Sequence, residues 1–198
     1  MDIDIREIRD YYDSEIRDYD YNELVRLGVS HDNAEFMVSI GVPEEYNDFM
    51  FYGSDTFQKI IIEGVQYIKI GHFAIFGMRN SYGLYFKESS SGFFTTSSLH
   101  EPHLYMINKD LRTFFLFHLI KNELAMKMKQ ENEYSTQKYA HELQKMFDQI
   151  DPVAMKDVEG FWSHFIEDYE TGLYKTIRTI FIHLLQLFLE WFYSRTNT

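Results

Sequence analysis

Apolar residues recur at helical spacing towards both ends of this 198-residue chain and at strand spacing in its middle. Near the start, Ile5, Ile8, Tyr12, Ile16 and Tyr19 follow one another at intervals of three and four. That spacing predicts an amphipathic helix over 3–20 with an acidic outer face. A second helix is predicted from Ser30, whose side chain can cap free backbone N–H groups, with Asp32 in the favourable first turn. Ala34, Met37 and Ile40 share its face. Gly41 supplies the left-handed residue that stops a helix, and Val42-Pro43 forbids its continuation.

Between 57 and 107 the period shortens. The runs Ile60–Ile62, Tyr67–Ile70 and Phe73–Phe76 are short and β-prone, and turn residues bound them at Glu63-Gly64, Arg79-Asn80-Ser81 and Ser89–Gly92. Such links suit hairpins and leave no room for crossover helices, so an antiparallel meander is expected. Helical spacing returns after Asn108, read here as the N-cap of a segment holding Leu111, Phe114, Phe115, His118 and Leu119. A further helix over about 135–150 aligns Tyr139, Leu143, Met146, Phe147 and Ile150 and ends at Asp151-Pro152. Another carries Val158, Phe161, Trp162, Phe165, Ile166 and Tyr169, with Gly172 to close it.

Helices, then sheet, then helices predict an α+β fold: an antiparallel β-sheet of about five or six strands flanked by N- and C-terminal helices. No Pro/Gly/Ser linker divides the chain, so one domain is expected over 1–174, with an extra apolar C-terminal helix over 175–198. Within that helix, 177–193 is apolar nearly all round, with one polar stripe of Thr179, His183, Gln186 and Glu190. Its helical length of about 26 Å is short for a bilayer. Glu190, Gln186 and His183 oppose insertion, so packing on the body or on a partner is expected rather than a membrane span.

Composition sharpens this picture in two places. Aromatics reach 18%, with 18 Phe and 15 Tyr, which supplies a large core. Cysteine is absent, which excludes disulfides, thiolate metal sites and a cysteine nucleophile and suits the cytoplasm. The acidic start, MDIDIREIRDYYDSE, lacks the apolar core of a signal peptide.

Charge is uneven. The net charge is −12, and residues 1–50 hold 14 acids against 4 bases while the rest is close to balanced. An acidic surface repels phosphate, so no direct nucleic-acid partner is expected. It would attract a basic protein, although a solvated face that keeps the chain soluble accounts for the charge equally. Asp10, Asp13, Asp18, Asp20, Glu44 and Glu45 are the candidate contacts for such a partner.

No catalytic residues, metal site or cofactor are expected. Gly71, Gly77 and Gly83 recur every six residues, but they match neither the dinucleotide fingerprint G-x-G-x-x-G nor the phosphate loop G-x-x-x-x-G-K-[ST]. The period is too short-lived for a hexapeptide β-helix, which leaves turn or kink positions in a small sheet. His100-Glu101-Pro102-His103 offers two imidazoles on a turn without a third ligand, and a surface loop explains it better. His164 and Asp168 read as a surface pair, and His118 as a hydrogen-bonded histidine at the core edge. Ser89–Ser91 lacks the elbow that exposes a nucleophile.

Four local patterns carry a family resemblance. "EFMVSIGVPEEY" (35–46) looks like a helix ending in Gly-Leu-Pro, with Val42 in place of the leucine. "QYIKIGHFAIFGM…YGLYF" looks like a Tyr-Leu-x-Ile-Gly strand and the strands after it. "MINKDLRTFFLFHL" (106–119) is similar to an asparagine-led helix after the sheet, and "QIDPVAMKDVEGFWSHFIEDYETGLY" (149–174) to a C-terminal helix with Asp-Pro and Trp. In that order they resemble the SUKH superfamily of bacterial immunity proteins, most closely its fourth subfamily. The resemblance covers about 35–174 and marks Gly41, Pro43, Gly71, Asn108, Leu111, Phe114, Asp151, Pro152 and Trp162 as motif positions with structural roles.

It implies a small cytosolic α+β protein, not an enzyme, that binds and neutralises a cognate polymorphic toxin, often a nuclease or a nucleic-acid deaminase. The alternative is an intracellular protein-binding scaffold of the same fold with no toxin partner. The stretch 10–21 and the tail lie outside the motifs, and toxin choice varies within the family, so contact residues do not carry over.

Overall fold

A computed structural model describes residues 3–73, 82–96, 104–157 and 160–172. The chain opens with a 3-10 helix, Ile5–Tyr11, capped by the Asp4 carboxylate, which accepts from the Arg6 N–H. It stops at Tyr12, which is extended. The single helix expected over 3–20 is therefore corrected. Beyond Tyr12 the backbone pairs across the molecule instead: β1 (Ile16–Arg17) is antiparallel to β2 (Val42–Pro43). Long-range ladder bonds replace the i→i+4 bonds that local spacing suggested. Ile16 is consequently exposed, while Tyr19 is buried with its hydroxyl on the Tyr52 carbonyl at 2.8 Å.

Two short helices follow. α1 (Tyr21–Leu27), which the periodicity left unassigned, is capped by the Asp20 carboxylate and closed by Gly28 at φ +99°. α2 (His31–Ser39) is capped by Ser30, whose Oγ accepts from the Asn33 N–H. Gly41 leaves it at φ +87° with its N–H on the Phe36 carbonyl, and a Cβ there would come within 2.5 Å of the Ile16 side chain. The turn that ends α2 thus also seats β1.

The main sheet has seven strands: β3 (Glu45–Tyr46), β4 (Phe49–Phe51), β5 (Gln58–Ile62), β6 (Val65–Phe73), β7 (Tyr82–Lys87), β8 (Phe93–Thr96) and β9 (Leu104–Asn108). All pairings are antiparallel and the order is β3-β4-β6-β7-β8-β9. β6 is long enough to take two partners on one side: β5 along residues 65–69 and β4 along residues 71–73.

Gly71 sits where these partners change and the β6–β7 register shifts. A Cβ there would lie 2.2 Å from the Met50 carbonyl oxygen. Gly71 is therefore a close-approach position at a bulge, where only hydrogen fits. Gly83 is inside β7, under the Tyr85 ring, and is neither turn nor kink. Gly77 lies outside the described residues, as do His100, His103, Val158 and the 177–193 segment.

Helices α3 (Leu111–Gln130), α4 (Thr136–Ile150) and α5 (Phe161–Glu170) complete the described structure, and Gly172 follows α5 at φ +74°. The N-cap of α3 is Asp110, which accepts from the Thr113 N–H at 2.6 Å; the expectation that Asn108 caps it is corrected. α3 packs against the sheet, α4 and α5, and α5 also reaches the sheet through Phe161 on Phe49 and Phe73. Phe114 packs on Phe49 and Phe93 of the sheet, whereas Phe117 stacks on Phe147 of α4 and meets Trp162 of α5. One continuous cluster of buried apolar side chains runs from Ile8 to Tyr169. Each fully buried Phe in it contributes about 1.5–3 kcal/mol of transfer free energy.

Candidate functional site

The β1–β2 ribbon brings together carboxylates that are far apart in sequence. Ser14 and Glu45, 31 residues apart, clamp its end. The Ser14 Oγ accepts from the Glu45 N–H at 2.8 Å and donates to the Glu45 carbonyl at 2.9 Å. The Glu44 N–H donates to the Glu15 carbonyl at 2.8 Å. Asp13, Glu15 and Asp18 flank one strand and Glu44 and Glu45 follow the other, all exposed. Ile16, 38% exposed, places an apolar side chain among them.

One base tempers this rim. Arg17 donates through Nε to the Phe51 carbonyl at 2.7 Å, which ties the ribbon to β4, and its Nη1 lies 3.1 Å from Glu44 Oε1. Behind the rim stand phenols. Tyr12 donates to the Gly41 carbonyl at 3.1 Å, and its ring meets Tyr46 edge-on. Burial pushes the Tyr46 phenol up to about 12 and the Tyr12 and Tyr19 phenols higher still. These groups stay neutral at physiological pH, so the charge of the rim is carried by its carboxylates.

Two candidate acids are placed differently. Asp20 is occupied as the cap of α1, accepting from the Glu23 N–H at 2.8 Å. Asp10 is exposed on the 3-10 helix rather than on the ribbon. Glu15 also belongs to the rim, although composition alone does not mark it. Only the pairing of β1 with β2 reveals it, since acids crowd the whole of 1–50.

Of the motif positions, Gly41 and Pro43 belong to the ribbon, while Asn108, Leu111, Asp151 and Trp162 meet in a buried polar clamp. The Asn108 Nδ2 donates to Asp151 Oδ2 at 3.2 Å, and its Oδ1 accepts from the Trp162 indole at 2.9 Å. Asp151 also accepts from the backbone N–H of Lys109 at 2.8 Å and of Ala154 at 3.3 Å. The Leu111 N–H donates to Asn33 Oδ1 at 2.9 Å, which locks α2 to the start of α3. These bonds hold the sheet end, α2, α3 and α5 in one register. Pro152, exposed, only continues the turn after Asp151.

Comparison with known protein families matches residues 19–168 to SUKH-4 immunity protein. The chain belongs to the SUKH-4 immunity protein family. Comparison with curated proteins gave no match, and comparison with solved structures gave none. The SUKH-4 match includes β2, Glu44, Glu45 and the whole clamp, but it starts after β1, Asp13 and Asp18. Two of the five rim acids, Glu44 and Glu45, therefore lie in the shared family body, and Asp13, Glu15 and Asp18 lie in the segment before it.

His118 is 3% exposed and sits among Tyr46, Phe114 and Trp162, so it is a core residue rather than one at the core edge. Its Nδ1 is 3.3 Å from Lys121 Nζ, and its Nε2 has no hydrogen-bond partner. Burial, then the Lys121 charge, holds its pKa well below the usual value, so the ring is neutral. Burial also lowers Lys121 to about 8, opposed by Asp48. Both line a cavity of about 610 Å³ beside Asp48, Phe165 and Tyr169. His164 Nδ1 lies 3.6 Å from Glu167 Oε2 on the exposed face of α5. Among the described residues, no group of His, Asp and Glu could hold a metal ion, and no helix is long and apolar enough to cross a membrane.

Proposed function

We propose that this SUKH-4 protein binds and neutralises a cognate toxin in the cytoplasm by forming a stoichiometric complex, with no turnover. The toxin acts on nucleic acid, as a nuclease or a nucleic-acid deaminase. The observation that carries this reading is the β1–β2 ribbon, which gathers Asp13, Glu15, Asp18, Glu44 and Glu45 around the exposed Ile16.

The chemistry is complementary. An enzyme that grips phosphates needs basic side chains in its cleft. A rim of carboxylates held on a rigid ribbon can stand in for those phosphates, and opposite charge accelerates the encounter. Ile16 supplies the desolvated contact that charges alone do not.

The test is co-expression with the toxin encoded beside it. Protection and a co-purifying one-to-one complex are expected, and the association rate should fall steeply as salt rises. A Glu44→Lys/Glu45→Lys variant should lose protection without losing its fold. Absence of both rescue and complex would overturn the immunity reading. A complex whose formation ignores salt and the two substitutions would move the contact off the rim.

A further inference from the structure

The cavity between α3, α5 and the turn from β3 to β4 holds a cation that no carboxylate pairs with. It measures about 610 Å³, within the range of small-molecule sites. Lys121 of α3 lines it, together with Asp48 of the turn and Phe161, Phe165 and Asp168 of α5. The Lys121 Nζ lies 3.3 Å from His118 Nδ1 and 5.2 Å from the centre of the Phe165 ring. Among the described residues, no Asp or Glu forms an ion pair with it. Asp48 attracts it from a distance, yet burial still lowers its pKa to about 8. At pH 7 the group is therefore mainly ammonium.

His118 is arranged around that cation at a cost. An ammonium has no lone pair, so His118 Nδ1 accepts and the ring proton sits on Nε2. Nε2 is shielded from solvent and finds no acceptor. A buried donor without an acceptor and a desolvated charge without a counter-ion both destabilise a fold. A side chain placed only to fill the core, such as methionine, would carry neither cost.

We propose that this cavity binds a small aromatic monocarboxylate, with its carboxylate on Lys121 and its ring against Phe161 and Phe165. The carboxylate supplies the missing counter-ion and accepts charge-assisted N–H bonds from the ammonium. The ring finds aromatic walls. Phe161 and Phe165 are half-buried, and Phe161 is held edge-on to Phe49 and Phe73. Aromatic rings pack on such walls in offset or edge-to-face contacts. Charge limits the ligand to one negative group. The lining carries Lys121 and Lys129 against Asp48 and Asp168. A single carboxylate is matched at Lys121, whereas a phosphate dianion would be repelled by the two acids. The inference is independent of the rim and of what the rim binds.

The experiment is an NMR chemical-shift titration of the isotope-labelled full chain at about pH 7 with phenylacetate, phenylacetamide and acetate. Phenylacetate should bind with a Kd between about 10 μM and about 1 mM, the range open to so small a ligand. It should shift the amides of Asp48, Lys121 and Phe165. Phenylacetamide keeps the shape and loses the charge, and acetate keeps the charge and loses the ring. Each should bind at least about tenfold more weakly. Lys121→Met keeps the apolar stem and should abolish the preference for acid over amide. Its melting temperature should be no lower than that of the wild type, because a desolvated charge is removed. Ala125→Phe fills the cavity from α3 and should weaken phenylacetate at least about tenfold. Circular dichroism checks that each variant is folded. A wild type that takes up no phenylacetate at about 10 mM would overturn the proposal. So would equal affinity for acid and amide, a preference that survives Lys121→Met, or shifts that lie away from the cavity.

Discussion

The Trp162 indole N–H donates to the side-chain oxygen of Asn108 at 2.9 Å, and both residues are fully shielded from solvent. The bond joins α5 to the last residue of β9 across 54 positions of sequence. Asn108 simultaneously donates to Asp151, so one amide side chain satisfies two buried groups from the C-terminal helices.

Asn108→Ala should therefore be costly. It leaves the indole N–H without its acceptor in a site that excludes water and takes a donor from Asp151. A loss of about 2–4 kcal/mol is expected, read as a lower denaturation midpoint in urea at unchanged slope. A loss below about 0.5 kcal/mol would mean that the clamp contributes little.

Two glycines should separate close approach from backbone strain. Gly71→Ala drives a methyl into the Met50 carbonyl, which belongs to backbone and cannot rotate away. Gly64→Ala meets no atom within 4 Å but keeps φ at +77°. The first should cost about 3 kcal/mol or more and the second about 1 kcal/mol. Thermal melts of both variants against the wild type test that order.

His118 should give the protein an acid limb. Its pKa is depressed in the fold, so below the ordinary value of 6.5 the unfolded chain binds a proton that the native ring refuses. Stability is complete above 6.5 and declines as pH falls from there towards the folded value. The facing charge of Lys121 acts in the same direction as burial. Unfolding free energies from pH 7.5 down to about 5, above the range where most carboxylates titrate, should show a slope of up to one proton. His118→Phe should reduce it, leaving the smaller contribution of His72, which burial also depresses.

Arg17 should matter for the rim more through its carbonyl contact than through its ion pair. The Arg17–Glu44 pair is partly exposed, and such pairs contribute about 0.2–1 kcal/mol. Glu44→Gln should leave the melting temperature nearly unchanged. Arg17→Met also removes the donor to the Phe51 carbonyl and should loosen the ribbon, read as faster amide exchange at Glu44 and Glu45.

Periodicity and capping chemistry made α2, α4 and α5 legible, because a helix is stabilised by bonds between residues three and four apart. Ser30 and Gly41 mark one helix, and Gly172 follows another. The β-prone runs of 57–107 likewise announce the meander, whose hairpins close locally. The same reasoning failed over 3–20, where spacing suits a helix but the backbone of Glu15–Arg17 bonds to Val42–Glu44 instead. It also misassigned Asn108, since nothing local distinguishes an asparagine that caps a helix from one that holds a distant indole. The acids of the rim were visible as composition and invisible as a surface.

What the sequence determined alone is the α+β order of elements, the aromatic core and an acidic first quarter, all of which follow from short-range spacing and counts. What only the tertiary structure decided is which acids meet, why Gly71 must lack a side chain, and where Trp162 finds its acceptor. Those depend on strands and helices approaching within a few ångströms across tens of residues, and no local pattern encodes such a distance.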